Sequence, residues 1–203
     1  MLKLDINPKA KGLIFDLDGT IIDSMPIHFI AWRNAAARYG IDFTAELFDQ
    51  LAGIPLYPTV AKLNEMFGKN MDPIEVGNAK EEEYEDNMHL AVEIEPVVAL
   101  IKKYHGILPM SVGTGSQQRL AQKALDIIGL KEYFQIIVSS DDVVNHKPHP
   151  DTFLKCAELM GIEPESCQVF EDGILGIQAA RKGGMMITDV REFYEVSIGK
   201  EVY

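Results

Sequence analysis

The sequence predicts a doubly wound α/β core built on a parallel sheet, with an α-helical cap domain inserted after the first strand. Residues 12–15 read GLIF, a short apolar run typical of a parallel strand that is covered on both faces. Residues 26–90 carry helical patterns only, whereas helical and strand-like segments alternate from residue 97 onward. Such alternation is typical of parallel strands joined by right-handed helical crossovers.

The predicted cap domain covers residues 25–92 and interrupts a core domain formed by residues 1–24 and 93–203. Its first helix, over residues 26–39, carries an apolar stripe and ends before Gly40, a residue type suited to a helix C-terminus. Further cap helices are predicted over residues 45–51, 59–67 and 73–90.

The rest of the core is predicted as a regular alternation of the two kinds of element. Helices are expected over residues 97–104, 117–128, 150–160 and 174–182. Strands are expected over residues 109–112, 135–138, 168–170 and 185–188. Because helices and strands alternate, all strands of the sheet are expected to run in one direction. The tail, residues 191–203, is expected to pack on the surface or to fray.

Composition and charge narrow the possible partners. With 203 residues, of which 47% are hydrophobic and 25% charged, the chain can bury a sizeable core. The formal net charge of −12 argues against nucleic acid and anionic membranes as partners, because both select basic surfaces. An acidic protein that binds an anion needs a local positive centre, which a divalent cation and one or two lysines can supply.

The cysteines and the N-terminus indicate a cytoplasmic location. Cys156 and Cys167 have no metal-ligand spacing and are predicted to be buried, reduced thiols. The first residues contain no apolar run resembling a signal peptide, and no segment has the roughly 20 apolar residues that a membrane span needs.

Polar residues follow the carboxyl ends of four predicted strands, the edge of a parallel sheet where ligands bind. They are Asp16 and Asp18, then Thr114, Gly115 and Ser116, then Lys147, and finally Glu171 and Asp172. We expect these side chains to meet at one rim.

The acids at this rim suit a hard cation and a nucleophile. Asp16 and Asp18 repel each other unless a cation lies between them, and Gly19 permits a turn that aims them separately. Asp172 would help to hold Mg²⁺, which prefers one or two carboxylates together with water and substrate phosphate. Asp16 could then attack phosphorus, while Asp18 exchanges protons with the leaving group and water.

The hydroxyl-rich turn and the lysine suit an anion. Residues 114–116 lie between a predicted strand and a predicted helix, where backbone amides and the Thr114 hydroxyl could hold a phosphate. Ser116 could equally serve as the N-cap of the helix. Lys147 stands between His146 and Pro148 in a stiff loop and could neutralise the repulsion between nucleophile and phosphate.

Together these residues resemble a known family. The segments FDLDGT at residues 15–20, TGS at 114–116, KP at 147–148 and FEDG at 170–173 resemble the four ordered motifs of the haloacid dehalogenase (HAD) superfamily. The resemblance spans essentially the whole chain and is strongest to the β-phosphoglucomutase-like branch, especially to bacterial phosphatases of fructose 1-phosphate and 6-phosphogluconate.

The resemblance implies a role for each motif residue. Asp16 would be the nucleophile and a Mg²⁺ ligand, and Asp18 the general acid and base, with its backbone carbonyl on the metal. Thr114 and Lys147 would hold the phosphoryl group, with Gly115 and Ser116 lining its site. Asp172 would bind the metal directly, and Glu171 through water.

In the predicted cap, the resemblance implies that His28, Gly53 and Lys80 bind the substrate, with Trp32 near it. An ordinary amphipathic helix with a buried Trp32, and a solvated Lys80, are the alternatives. One departure is informative: the mutases of this branch have a phosphate-binding arginine at the position of Leu56, and leucine cannot form that contact.

The sequence therefore predicts a Mg²⁺-dependent phosphatase that hydrolyses small sugar-phosphate monoesters through an aspartyl-phosphate intermediate and acts as a monomer. A β-phosphoglucomutase, or a non-catalytic protein that binds metabolites with the same fold, are the alternatives.

Overall fold

The computed structural model describes residues 3–51 and 53–194. These residues form two compact units, one made of residues 3–23 and 92–194 and the other of residues 24–91. The predicted behaviour of the tail beyond residue 194 lies outside the described residues. None of the helices in these ranges is long and apolar enough to cross a membrane.

The first unit is built on a five-stranded parallel sheet. Its strands are β1 (Gly12–Phe15), β4 (Met110–Gly113), β5 (Ile136–Val138), β6 (Cys167–Glu171) and β7 (Met186–Asp189). Strands β2 (Ile22–Asp23) and β3 (Val92–Glu93) form a separate two-stranded ribbon. The sheet order is β5-β4-β1-β6-β7, and all neighbouring pairs are parallel. The chain adds strands on one side of β1 and then on the other, so its direction reverses at β1. Ligands of open α/β sheets bind beyond the strand ends at such a reversal.

The helices are α1 (Met25–Ala37), α2 (Ala45–Leu51), α3 (Leu56–Phe67), α4 (Pro73–Asn87), α5 (Glu95–Tyr104), α6 (Gln118–Ile127), α7 (Asp151–Met160) and α8 (Ile174–Lys182). Helices α1 to α4 belong to the second unit, and α5 to α8 alternate with the strands of the first. The predicted doubly wound α/β fold with a helical insertion is confirmed.

Strand β1 is buried on both faces, as its apolar sequence predicts. Leu13, Ile14 and Phe15 have no exposed surface. Ile14 packs into a cluster that includes Phe153 of α7. On the opposite face, Phe15 stacks on Phe170 with 4.8 Å between ring centroids. Complete burial of each large apolar side chain contributes about 1.5–3 kcal/mol, which fixes the central strand and the residue that follows it.

Helix α7 packs closely on the sheet and ends abruptly. A Cβ at Gly113 would lie 3.0 Å from the Phe153 ring, so a side chain there would crowd the helix. The helix stops at Gly161, which has φ of +68° and closes the C-terminus in the left-handed conformation that glycine adopts readily.

The second unit has its own apolar core. Trp32 stacks on Phe43, and Phe48 meets Phe43 edge to face. Asp72 is the residue before helix α4, and its side chain accepts hydrogen bonds from the backbone N–H groups of Ile74 (2.8 Å) and Glu75 (3.2 Å). This is the bonding of a strong N-cap, and Pro73 follows at the first helical position.

The ribbon of β2 and β3 was not predicted. Ile22 pairs with Glu93, and Asp23 with Val92, in an antiparallel arrangement at the two chain positions where the helical insertion begins and ends. Two-residue strands are too short to show a periodic pattern, and their pairing depends on segments far apart in sequence. The helix predicted over residues 73–90 also ends earlier, at Asn87, and continues as the 3₁₀ turn Met88–Leu90.

Candidate active site

Three polar residues at the carboxyl edge of the sheet are in direct contact. The Nζ of Lys147 lies 2.6 Å from Oδ1 of Asp16 and 2.8 Å from Oε1 of Glu171. All three side chains are largely buried, with 12%, 8% and 4% exposed for Lys147, Asp16 and Glu171. Because solvent screens such buried ion pairs weakly, they constrain both carboxylates.

The sheet ladder holds one end of this contact, and an aromatic ring lies against the other. Asp16 follows β1 directly, and its N–H donates to the Phe170 carbonyl at 3.0 Å, which extends the sheet ladder by one residue. Lys147 precedes a cis proline, Pro148, and its ammonium lies 4.6 Å from the centroid of the Phe153 ring. A cation over an aromatic face is favourable, so the ring also stabilises the ammonium of Lys147.

Asp172 completes a cluster of acids that could hold a metal ion. One carboxylate oxygen from each of Asp16, Glu171 and Asp172 lies within 4.8 Å of the other two. The Thr20 hydroxyl donates to Oδ1 of Asp172 at 3.1 Å and orients it. With the ammonium of Lys147 counted, the ionised cluster carries a formal charge of −2, which a divalent cation would neutralise. Carboxylate oxygens are the kind of donor that hard cations such as Mg²⁺ prefer.

The pKa values of the cluster reflect the same crowding. Burial raises the pKa of Asp16 well above its usual value; Lys147 opposes this shift, while Glu171 and Asp172 add to it. Burial and the neighbouring Glu171 raise the pKa of Asp172 to about 7. Burial alone would lower the pKa of Lys147, but the charges of Asp16 and Glu171 outweigh it and raise this pKa. Lys147 therefore remains an ammonium, and the crowding of the three acids favours a bound cation that would keep them ionised.

Two glycines make room for the acids. Gly19 has φ of +83°, and a Cβ there would overlap the Asp172 carboxylate. A Cβ at Gly176, in the first turn of α8, would lie 2.9 Å from Cγ of Glu171 and closer still to its carboxylate. The Glu171 carboxylate also accepts a hydrogen bond from the N–H of Gly173. Both carboxylates therefore lie against backbone that no larger residue could provide.

Asp18 points to a different partner. The Ser116 hydroxyl donates to its Oδ2 at 2.6 Å, and the N–H of Ser116 donates to the Thr114 hydroxyl at 3.0 Å. The alternative that Ser116 caps the following helix is wrong, because α6 begins at Gln118. The N–H of Gln118 donates instead to Oδ2 of Asp141 at 2.9 Å. Ser116 therefore links the turn after β4 to the turn after β1.

The predicted cap residues lie in the helical unit. Lys80 is only 3% exposed, so the alternative of a solvated lysine is wrong. Its Nζ lies 2.9 Å from Nδ1 of His28 and 2.9 Å from Oε1 of Glu81, and the rings of Trp32 and Tyr84 lie 5.8 Å and 4.9 Å from it.

Two further positions of the predicted cap lie in the same helical unit. Gly53 has φ of +81°. Leu56 begins α3 and packs against the apolar core of its unit.

Sequence reasoning did not find three residues that contact this site. Thr20, at the end of the first motif, orients Asp172. Gly176 makes room for Glu171, and the Tyr194 hydroxyl donates to the Gly19 carbonyl. The position of Thr20 beside Gly19 was a usable signal. Tyr194 lies in a segment without any pattern, so the sequence held no signal for it.

Comparison with known proteins agrees with the fold and the motifs. A family model described as haloacid dehalogenase-like hydrolase matches residues 13–190. A fructose-1-phosphate phosphatase of Escherichia coli, YqaB, is 43% identical over 180 residues, which cover 89% of this chain and 96% of that protein. A β-phosphoglucomutase of Bacillus subtilis is 28% identical over 192 residues and covers 89% of this chain and 83% of its own length.

Solved structures are similar over most of the chain. A hydrolase from Pseudomonas syringae matches with a TM-score of 0.80 at 24% identity, covering 92% of this chain and 88% of that one. A β-phosphoglucomutase from Clostridium difficile matches with a TM-score of 0.79 at 22% identity, covering 93% and 89%. At these identities the likeness concerns the fold alone.

The family model spans most of the chain, and the relatives include phosphatases and a phosphoglucomutase. The predicted enzyme class, a HAD-family phosphatase, is confirmed by these matches. The chain belongs to the family of haloacid dehalogenase-like hydrolases.

Proposed function

We propose that this protein is a Mg²⁺-dependent phosphatase that hydrolyses small sugar-phosphate monoesters through a phosphorylated Asp16. The observation that carries the proposal is the contact of Lys147 with both Asp16 and Glu171 next to the carboxylate of Asp172. A buried nucleophile, a cation beside it and an acidic metal site at one sheet edge are the groups that phosphoryl transfer requires.

In the first step, an oxygen of Asp16 attacks phosphorus and forms a new O–P bond. The bond between phosphorus and the sugar oxygen breaks, and Asp18 gives its proton to that oxygen. Two of the three N–H donors of Lys147 point to Asp16 and Glu171, which leaves one to stabilise a phosphoryl oxygen. The buried Thr114 hydroxyl accepts from Ser116 and can donate its own proton to the same group.

In the second step, Asp18 takes a proton from a water molecule that attacks the phosphorus. The bond to Asp16 breaks, and inorganic phosphate and the free carboxylate result. The two steps return both aspartates to their starting states, so the chain turns over without any other reactant.

Asp16, Asp172 and Glu171 would hold Mg²⁺, together with the backbone carbonyl of Asp18 that the resemblance implies. Their spacing and their shared negative charge fit such an ion. When it is bound, the ion supplies positive charge that lowers the energy of the developing phosphoryl anion.

One residue, Leu56, favours hydrolysis over transfer of the phosphoryl group to a second hydroxyl of the sugar. Leu56, at the position where the mutases have an arginine, packs against apolar neighbours and offers no donor to a second phosphate. The relative named as a fructose-1-phosphate phosphatase supports a sugar monophosphate as substrate. That relative is 43% identical to this chain.

Several parts of the interpretation stay predictions. They are the role of residues 25–92 as a cap, substrate contacts from His28, Gly53, Lys80, Gly115 and Ser116, a monomeric state and a cytoplasmic location.

The proposal is tested by following phosphate release from fructose 1-phosphate, with Mg²⁺ and after chelation. Asp16→Asn should abolish turnover by at least about a thousandfold, because an amide cannot form the aspartyl phosphate. The matched control is Asp126→Asn, which removes a carboxylate paired with Lys131 on the surface and should retain activity. Full activity of Asp16→Asn, or undiminished activity after chelation, would overturn the proposal.

A further inference from the structure

The hydrogen bond between Ser116 and Asp18 separates the second aspartate from the acid cluster. Asp16 and Asp18 are two residues apart, yet the first pairs with Lys147 and the second accepts from Ser116 at 2.6 Å. A hydrogen bond of this length between a hydroxyl and a carboxyl oxygen lies at the short end of the usual range. It therefore restricts the orientation of the Asp18 carboxylate.

Ser116 is itself held in place through its backbone. Its N–H donates to the Thr114 hydroxyl at 3.0 Å, and its carbonyl accepts from the N–H of Ser140 at 3.0 Å. The turn after β4 and the segment after β5 thus fix both polar groups of its backbone. Because the backbone of Ser116 is anchored on two sides, its hydroxyl is a pre-organised donor.

Donation to one carboxylate oxygen has a chemical consequence. A serine hydroxyl has a single proton, so donation to Oδ2 of Asp18 uses the donor that a substrate phosphate would otherwise receive. The Ser116 hydroxyl therefore holds the carboxyl group of Asp18 in one orientation in this arrangement.

We propose that Ser116 is a positioning residue that holds Oδ2 of Asp18 and so orients this carboxyl group for proton transfer to the leaving group. The inference rests on the proposed function, in which Asp18 is the general acid. In the transfer, the O–H bond of the Asp18 carboxyl group breaks and an O–H bond forms on the sugar oxygen, while the P–O bond to that oxygen breaks and the bond to Asp16 forms. Ser116 keeps its own proton throughout.

The leaving group provides the test. An alkyl phosphate needs its leaving oxygen protonated, whereas 4-nitrophenyl phosphate releases a stable anion and needs little acid catalysis. We expect Ser116→Ala to lower kcat/KM for fructose 1-phosphate about 10- to 100-fold, and to lower it at least about tenfold less for 4-nitrophenyl phosphate. A residue that only binds phosphate would affect both substrates alike.

Two further variants distinguish positioning from a general structural effect. Ser116→Thr keeps the hydroxyl and should restore most of the loss with fructose 1-phosphate. Ser139→Ala removes a similar bond, from the Ser139 hydroxyl to Asp142 at 2.7 Å, and should leave the ratio of the two substrates unchanged. Melting temperatures of all variants monitor folding.

The outcomes separate the two proposals. An active wild-type enzyme whose Ser116→Ala variant loses the same factor with both substrates would overturn the role of Ser116 and leave the proposed phosphatase intact. A wild-type protein that releases phosphate from neither substrate would overturn the proposed function itself.

Discussion

Replacing Gly176 with alanine places a methyl group where the Glu171 side chain lies. Gly176 occupies the first turn of α8, and a Cβ there would be 2.9 Å from Cγ of Glu171 and nearer to its carboxylate. The carboxylate is 4% exposed and is held by Lys147 at 2.8 Å and by the N–H of Gly173. One of these contacts must break for the methyl group to fit.

Two opposing effects determine how far Gly176→Ala changes the free energy of unfolding. Loss of one hydrogen bond to a charged, buried carboxylate costs about 1.5–3 kcal/mol. Alanine in place of a helical glycine returns about 0.5–1 kcal/mol, because it lowers the entropy of the unfolded chain. We therefore expect Gly176→Ala to lower the free energy of unfolding by about 0.5–2.5 kcal/mol, which corresponds to a fall in Tm of about 1–10 °C for a chain of this size.

Calorimetry on a double-mutant cycle checks the cause. Glu171→Ala removes the obstructing side chain, so Gly176→Ala should be neutral or stabilising in that background. If Gly176→Ala lowers Tm by the same amount with and without Glu171, the clash is not the reason and the argument fails. A stabilised Gly176→Ala single variant would refute it directly.

Two further predictions concern the thiols and a helix terminus. Cys156 and Cys167 are fully buried, and burial raises their pKa values to about 12 and about 11. Ellman's reagent should therefore label both thiols only after denaturation in guanidinium chloride. Rapid labelling of the native protein would contradict this. Asp72→Ala should lower the free energy of unfolding in urea by about 0.5–2 kcal/mol. Asp72→Asn should lower it by clearly less, because asparagine can still cap α4. Equal losses would show that the cap bonds do not stabilise the helix.

The sheet could be predicted because its signals are local. A few adjacent residues are enough to indicate strand β1, which is an apolar run, and the end of α7 at Gly161. The ribbon of β2 and β3 could not be predicted in this way, since two residues give no period and the pairing joins Ile22 to Glu93 across the whole helical insertion.

The same distinction holds for the site. That Asp16 and Lys147 meet follows from strand order, because parallel strands deliver their ends to one edge. That Asp16 pairs with Lys147 and Asp18 with Ser116 does not follow, since strand alternation ceases to govern side-chain direction after Phe15. The close approach of Glu171 to Gly176 depends on how α8 meets β6, which spacing in the sequence does not specify.

The role of Lys147 becomes clearer when the charges of the cluster are considered together. In a chain of net charge −12, a lone lysine near an anion would be expected to bind the substrate first. Here its ammonium already pairs with Asp16 and Glu171, both buried. Without it, three crowded carboxylates would favour protonation, and a protonated Asp16 is a poor nucleophile. In the proposed mechanism, Lys147 therefore acts first by opposing the effect of burial on the Asp16 pKa, and most of the positive charge for the phosphate would come from a cation held by the acids.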